Sequence, residues 1–187
     1  FLCPFGWLQE LLQYADGASL YSKSAPTVIH KTVRLPETQD GEPICQSWRQ
    51  MVNIGYAHDG LIGSVQEQLR RAQKEIGFTY LRFHGIFDDD MHIYQENEDG
   101  SPWFNFAYAD LLFDFIQEIG LIPYVELGYM PSKLAKTQYT VFDNPAICIS
   151  MYNDSEKWQA LVQACLSHWI DKYGLANVRK WRFTVFS

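Results

Sequence analysis

The chain has 187 residues, of which 47% are hydrophobic and 16% aromatic, enough for one ordinary domain with a large core. Its formal net charge of −7, from 22 acidic and 15 basic residues, argues against direct binding to nucleic acid or to an anionic membrane surface. The sequence contains no run of about 18 uncharged apolar residues, so we expect no membrane span.

The cysteines indicate a reducing compartment. Cys3, Cys45, Cys148 and Cys165 are far apart and form no CxxC pair, a pattern that fits neither a zinc site nor a dense disulfide framework. The first residues, Phe1 to Tyr14, have no basic start and mix polar with apolar side chains, unlike a signal peptide. We therefore expect a cytoplasmic protein.

Residues 1–46 differ in pattern from the rest of the chain. Leu8 to Tyr14 predicts the end of a helix, and Thr27 to Leu35 predicts an alternating strand. We expect residues 1–46 to be a linker and the edge of an accessory module. Because the chain starts at Phe1 and ends within a predicted strand, we also expect both ends to continue in a longer protein.

A helix, a glycine and a strand then follow one another twice. Gly77 precedes the predicted strand Phe78 to Gly85, and Gly120 precedes the strand Leu121 to Gly128. Each glycine is placed where a left-handed helix cap is needed. The residues before each glycine have the 3.6-residue apolar period of an amphipathic helix: Val65, Leu69, Ala72 and Ile76, then Tyr108, Leu111, Leu112, Phe115 and Ile119.

A third unit has an N-cap candidate among residues 153–155, a stop at Gly174 and a predicted strand from Trp181 to Ser187. Together with a strand near Trp48 to Asn53, this gives four strands that alternate with three helices. Such alternation predicts an α/β fold in which parallel strands are joined by right-handed helical crossovers. The apolar face of the third helix is formed by Trp158, Leu161, Val162, Cys165 and Trp169.

This order fits either a (β/α)8 TIM barrel or a doubly wound sheet. The glycines near the first strand, at positions 55, 60 and 63, lack the spacing of a dinucleotide-binding loop. The segments Ile86 to Phe104 and Tyr129 to Tyr152 are long and aromatic, as loops at the site-bearing end of a barrel often are. We therefore expect residues 47–187 to form the first four strands, the first half, of a TIM barrel.

Side chains within or just after two of the predicted strands are candidates for the site. His84 ends the second strand, with Arg82 on the same side, and is either a hydrogen-bonded structural residue or a substrate ligand. Glu126 lies in an apolar strand, so we expect a buried brace paired with an arginine, with an acid or base role as the alternative. Tyr129 and Met130 follow the third strand and could wall a sugar site or simply pack.

Other polar residues give weaker signals. Asp88, Asp89 and Asp90 could hold a cation, but without EF-hand spacing we favour a solvated or helix-capping role. His58 and His92 have no metal-ligand spacing with His84 and are expected at the surface. We predict no metal and no cofactor. Residues 99–100, Asp-Gly, predict a hairpin above the same face.

A resemblance to a known family is carried by six segments in chain order: Leu81 to Met91, Asn97 to Pro102, Phe115 to Gly128, Tyr129 to Pro131, Thr140 to Phe142 and Glu156 to Trp158. In this order they resemble glycoside hydrolase family 39, the β-xylosidase family, over a stretch from about Trp48 to Ser187. The resemblance implies a (β/α)8 barrel, commonly with an attached β-sandwich, and hydrolysis of β-xylosides with retention of configuration.

The resemblance also implies where the catalytic residues are. A retaining glycosidase uses one Glu as acid/base and another as nucleophile. In the family the acid/base follows a Trp-Asn pair after the fourth strand, and Phe186 and Ser187 occupy that pair here. We therefore expect the acid/base Glu directly after Ser187 and no catalytic carboxylate within the chain.

Three residues correspond to substrate-binding positions of the family. His84 matches a histidine near the xylose site, and Tyr129 matches an aromatic residue that is usually Phe. Ser187 replaces the Asn that donates to the sugar 2-hydroxyl. Since serine is shorter, we expect reduced or altered activity.

The leading hypothesis is part of a β-xylosidase-like hydrolase that acts on a β-xyloside or related small saccharide and needs the remaining half of the barrel as its partner. The alternative is a non-catalytic, sugar-sensing barrel of an AraC-type transcription regulator, whose DNA contacts another domain makes. A third possibility is an incomplete barrel without function.

Overall fold

The computed structural model describes residues 31–32, 44–140 and 147–185. The fold below is that of the second of the two units into which the chain divides, residues 44–187. The predicted accessory module over residues 1–46 lies almost entirely outside the described residues and stays a prediction. Ser187 and its neighbour Phe186 also lie outside them. No helix in the described ranges has both the length and the apolar character needed to cross a bilayer.

Helices and strands alternate along the described chain. Short 3-10 turns occur at Ser47–Gln50, His58–Leu61, Asp89–Met91 and Ser132–Leu134. The predicted hairpin is present in the loop after the second strand, where Tyr94–Glu96 pairs antiparallel with Pro102–Phe104. In chain order the elements are β1 (Met51–Tyr56), α1 (Gly63–Glu75), β2 (Tyr80–His84), β3 (Tyr94–Glu96), β4 (Pro102–Phe104), α2 (Ala107–Glu118), β5 (Ile122–Leu127), α3 (Ser155–Tyr173), α4 (Leu175–Val178) and β6 (Arg182–Val185).

The main sheet has the strand order β1-β2-β5-β6, and all its neighbours are parallel. One row across the sheet contains Asn53, Arg82, Tyr124 and Arg182. This sequential order is that of consecutive barrel units, whereas a doubly wound sheet reverses its order at a switch point. The carboxyl ends of all four strands therefore meet at one edge.

The helix ends match their sequence signals. Gly77 and Gly120 have φ of +78° and +75°, so both glycine caps are confirmed. Asp154 is the N-cap of α3, where its carboxylate accepts hydrogen bonds from the backbone N–H groups of Glu156 and Lys157 at 2.9 and 3.1 Å. These local signals mark where the helices begin or end.

The core lies between the helices and one face of the sheet. Along β2, Leu81 and Phe83 are fully buried, while Arg82 and His84 alternate with them and lie on the opposite, inner face. The helices contribute large fully buried side chains, which include Phe113 on α2 and Trp169 on α3. The inner face carries the polar residues, and it ends at the edge where the candidate site lies.

The first strand begins later than predicted. The sequence indicated a strand from Trp48, but residues 47–50 form a 3-10 turn, in which the N–H of Arg49 donates to the carbonyl of Gln46 at 2.9 Å. Pairing with β2 begins at Met51, opposite Tyr80. The apolar side chains of this segment therefore did not mark the strand boundary.

Residues 44–187 produced alone are expected to self-associate through the sheet edges. Within the described sheet β1 and β6 are the outermost strands, and Val185 on β6 is 67% exposed. Light scattering coupled to size-exclusion chromatography should show dimers or larger species, and Val185→Lys should reduce them because an edge lysine opposes strand pairing. A monomer at all tested concentrations contradicts this prediction.

Candidate functional site

Four side chains meet where β1, β2 and β5 end. The ring of His84 lies between Tyr56, at a centroid distance of 4.4 Å and an interplanar angle of 82°, and Tyr129, at 5.7 Å and 69°. Both contacts are edge-to-face, the arrangement that aromatic quadrupoles favour. The fourth member is Glu126. We call Tyr56, His84, Glu126 and Tyr129 the rim cluster.

Glu126 is the buried anion of the rim cluster. Its side chain is 7% exposed, and the guanidinium of Arg82 donates to Oε1. Nδ1 of His84 lies 4.0 Å from Oε2. The predicted brace between a strand carboxylate and an arginine is therefore confirmed. Because the pair joins two adjacent strands on the inner face, it fixes the base of the rim.

The electrostatics keep His84 neutral. Burial lowers the pKa of the imidazole, and the Glu126 carboxylate opposes this effect only in part, while Arg82 adds to it. A neutral imidazole has one nitrogen that donates and one that accepts a hydrogen bond. That is the capacity needed to bind a hydroxyl group.

The two tyrosines stay protonated. Burial is the main cause that raises the pKa of both phenols, and the Asp88 carboxyl raises both further. Tyr129 is 9% exposed. Each phenol can therefore donate a hydrogen bond at neutral pH, and each ring offers an apolar surface.

The structure corrects the expectation for Asp88, the first of the three aspartates. Asp88 is 2% exposed, so a solvated role is wrong for it, and no side chain caps the 3-10 turn at residues 89–91. Instead, Asp88 accepts from the N–H of Tyr129 at 2.9 Å, and Asp89 accepts from the N–H of Ser132 at 3.0 Å. These bonds join the turn after β2 to the loop after β5, a contact that local sequence does not encode.

The remaining predicted site residues lie elsewhere. His58 and His92 are exposed, as predicted, and the ring of His92 lies 5.6 Å from Tyr108 rather than in the rim cluster. Ser187 lies outside the described residues. Within those residues, no three His, Cys, Asp or Glu side chains are grouped so that they could hold a metal ion.

A mainly apolar cavity of about 390 Å³ adjoins the rim cluster. Tyr129 and Met130 line one side of it, and the start of α3 contributes Trp158. Cys148 and Met151 line it from the loop that precedes α3. The edge of the sheet thus combines polar groups with an apolar concave surface, as ligand sites commonly do.

Sequence reasoning missed Tyr56 as a member of the cluster. The pairing of β1 with β2 shifts between Asn53 and Tyr56, which places Tyr56 opposite His84. Gly55, with φ of +85°, lies within this irregularity. A glycine inside a strand is a known bulge signal, and it could have pointed to this residue.

One family model matches most of the chain. The family model described as "Glycosyl hydrolases family 39" matches residues 31–187. The chain is 35% identical over 160 residues to the β-xylosidase of Geobacillus stearothermophilus, a match that covers 84% of this chain and 31% of that protein. It is 36% identical over 140 residues to the β-xylosidase of Caldicellulosiruptor saccharolyticus, covering 75% of this chain and 28% of the relative.

A solved structure gives the same result. The GH39 enzyme from Xanthomonas axonopodis pv. citri superimposes with a TM-score of 0.70 at 28% identity, over 79% of this chain and 28% of that enzyme. The chain spans about a third of the length of the two curated β-xylosidases described above.

Proposed function

The chain belongs to glycosyl hydrolase family 39, and from that premise we propose that it is the sugar-binding part of a β-xylosidase-like enzyme. Its fold is the first half of the (β/α)8 barrel expected from the sequence. The proposed substrate is a β-xyloside or a related small saccharide. The proposed partner is the other half of the barrel, which would pair with β1 and β6.

The observation that carries this proposal is the rim cluster. A neutral imidazole and two protonated phenols lie together at the carboxyl ends of the strands, where barrel enzymes keep their sites. Their hydrogen-bonding groups suit sugar hydroxyls, and the ring surfaces suit the apolar faces of a pyranose. We therefore assign His84 and Tyr129 as substrate-binding residues, and we add Tyr56.

We place the two catalytic carboxylates outside the chain. Glu126 is unsuited to either role because it is buried and already bound to Arg82. The acid/base Glu is proposed to follow Ser187 directly, with the nucleophilic Glu on a later strand. In the proposed double displacement the nucleophile forms a glycosyl-enzyme, and the acid/base first protonates the leaving oxygen and then activates water. The rim cluster holds and orients the sugar ring.

Ser187 is proposed to weaken the reaction. A contact to the 2-hydroxyl strengthens in the transition state of these enzymes. If the shorter serine hydroxyl does not make that contact, turnover falls more than ground-state binding does. Ser187→Asn is the variant that should restore it.

Turnover of 4-nitrophenyl β-D-xyloside by the full-length protein tests the proposal. We expect release of 4-nitrophenol, and proton NMR should show the β-anomer of xylose as the first product. His84→Ala should lower kcat/KM roughly 10- to 100-fold, since a buried polar contact to the sugar is lost. The matched control is His58→Ala, because His58 is exposed and outside the rim cluster.

Two other experimental outcomes would each contradict a different part of this proposal. Binding of D-xylose without turnover would contradict the enzymatic proposal and would favour the sugar-sensing regulator considered above. The relatives named above are β-xylosidases and a family 39 enzyme, so no observation here favours a regulator over a hydrolase. An equal loss of activity in the His58 and His84 variants would contradict the assignment of the rim cluster.

We also propose a reducing, cytoplasmic location. Of the cysteines in the described ranges, Cys148 and Cys165 are buried thiols and Cys45 is an exposed one. Burial raises the pKa of both buried thiols, which makes them poor nucleophiles and consistent with a structural role.

A further inference from the structure

Hydrogen bonds join the turn after β2 to the loop after β5, and most of them run from backbone N–H groups of the loop to carboxylates of the turn. Asp88 Oδ1 accepts from the N–H of Tyr129 at 2.9 Å. The N–H of Phe87 points to the carbonyl of Gly128 at 3.5 Å. Asp89 binds the N–H of Ser132 at 3.0 Å one turn further along. The backbone on both sides of Tyr129 is thus anchored to residues 87–89.

The carboxyl group of Asp88 is built into the fold. It is nearly fully buried, and it packs against Gly85, where φ is +73°. A Cβ atom at position 85 would overlap the Asp88 carboxylate. Glycine is therefore required at position 85 for two reasons. It adopts the positive φ without strain, and it leaves the space through which the carboxylate reaches Tyr129.

We propose that Asp88 is a positioning residue, which holds the backbone of Tyr129 and thereby the aromatic wall of the rim cluster in the place that a bound sugar needs. Tyr129 contacts His84 edge-to-face, so a shift of its backbone would also change the surroundings of the imidazole. The inference rests on the proposed function for the identity of the ligand. The positioning itself rests on the contacts of Asp88.

The ionisation of Asp88 supports this role and offers a way to test it. Burial raises its pKa to about 7; the bond from Tyr129 N–H opposes the rise, and Asp90 and Asp89 on the same turn add to it. The other titratable groups in its field are Tyr56 from β1, and Tyr129 and Cys148 from the loop after β5. A carboxylate accepts a stronger hydrogen bond than a neutral carboxyl. The hold on Tyr129 should therefore strengthen as pH rises through about 7.

The effect on stability has the opposite sign. The folded-state pKa lies above the ordinary value of 3.8, so this group's contribution to stability is complete below pH 3.8 and is lost as pH rises towards about 7. Ionised Asp88 thus costs stability while it holds Tyr129 more firmly. Asp88→Asn keeps an acceptor oxygen but removes the titration, so it separates these two effects.

The backbone amide of Tyr129 reports the interaction directly. In full-length protein labelled with 15N-tyrosine, its signal is identified as the one lost in Tyr129→Phe, a variant that keeps the backbone N–H. We expect the signal to titrate in the wild type with a midpoint near pH 7. It should stop titrating there in Asp88→Asn and should keep titrating in the matched control Asp89→Asn. An unchanged titration in Asp88→Asn overturns the proposal.

Binding of D-xylose, followed through the same signal, tests the consequence for the site. Asp88→Ala should raise the Kd for D-xylose roughly tenfold, because displacement of a positioned group by about 1 Å is costly. Asp88→Asn should bind like the wild type at pH 6 and more weakly than the wild type at pH 8. Equal Kd values in wild type and Asp88→Ala overturn the positioning role. Since neither readout requires turnover, a full-length protein that binds xylose but leaves the xyloside intact contradicts only the proposed enzymatic function.

Discussion

Replacing Arg82 with methionine is expected to lower the free energy of unfolding by about 3–5 kcal/mol. Glu126 is 7% exposed at its side chain, and Arg82 is the cation that donates to it. Methionine retains much of the length and apolar contact of the arginine stem but leaves the carboxylate buried without its ion-pair partner. An isolated buried charge costs far more than the pair contributed.

The double variant tests this explanation. Replacing both members, as Arg82→Met with Glu126→Leu, removes the buried charge as well as its partner. Replacing both members of a buried ion pair by apolar residues often leaves the free energy of unfolding nearly unchanged. The double variant should therefore be more stable than Arg82→Met alone. Urea unfolding of the wild type, Arg82→Met, Glu126→Leu and the double variant at pH 7, followed by tryptophan fluorescence, gives the four free energies needed for the cycle.

A second arginine provides the matched control. Arg70 on α1 and Glu118 on α2 form an ion pair at 3.0 Å, but their side chains are 46% and 59% exposed. Arg70→Met should therefore cost less than about 1 kcal/mol. If Arg70→Met and Arg82→Met cost the same, burial of Glu126 is not what makes the inner pair important.

The parts of the fold predicted from sequence depend on local chemistry. The apolar period of each helix, the glycine caps and the alternation of Leu81 and Phe83 with Arg82 and His84 are all encoded within a few residues. The proximity of His84 and Tyr129 also followed, since parallel strands in adjacent positions end at the same edge. The brace between Arg82 and Glu126 followed from the cost of a buried charge.

The missed parts depend on contacts between distant segments. Asp88 is buried because the turn at Gly85 folds back onto a loop 41 residues later in the chain. In the sequence alone, its charge and the two acidic residues beside it suggested that Asp88 is exposed to solvent. Tyr56 entered the cluster through an irregular pairing of β1, and no periodic pattern predicts such a shift.

Replacing Phe113 with alanine is expected to lower the free energy of unfolding by about 3–5 kcal/mol. Phe113 is fully buried on α2. Its ring stacks on Trp181 at a centroid distance of 4.7 Å, and it meets Trp169 at 5.1 Å and Phe83 at 5.9 Å. It also lies 6.1 Å from Tyr173. Its loss therefore opens a cavity where α2, α3 and β2 meet, and these four aromatic contacts disappear together.

A second alanine variant on the same helix separates the loss of core packing from any change in helix propensity. Leu111 is also on α2 but is 59% exposed, so Leu111→Ala should change stability by no more than about 0.5 kcal/mol. Phe113→Leu retains most of the apolar volume and should fall between the two alanine variants. Because Trp169 and Trp181 both contact Phe113, their emission should change in Phe113→Ala and not in Leu111→Ala. Similar costs for both alanine variants would mean that the helix itself, rather than the aromatic core beneath it, limits the stability of the half-barrel.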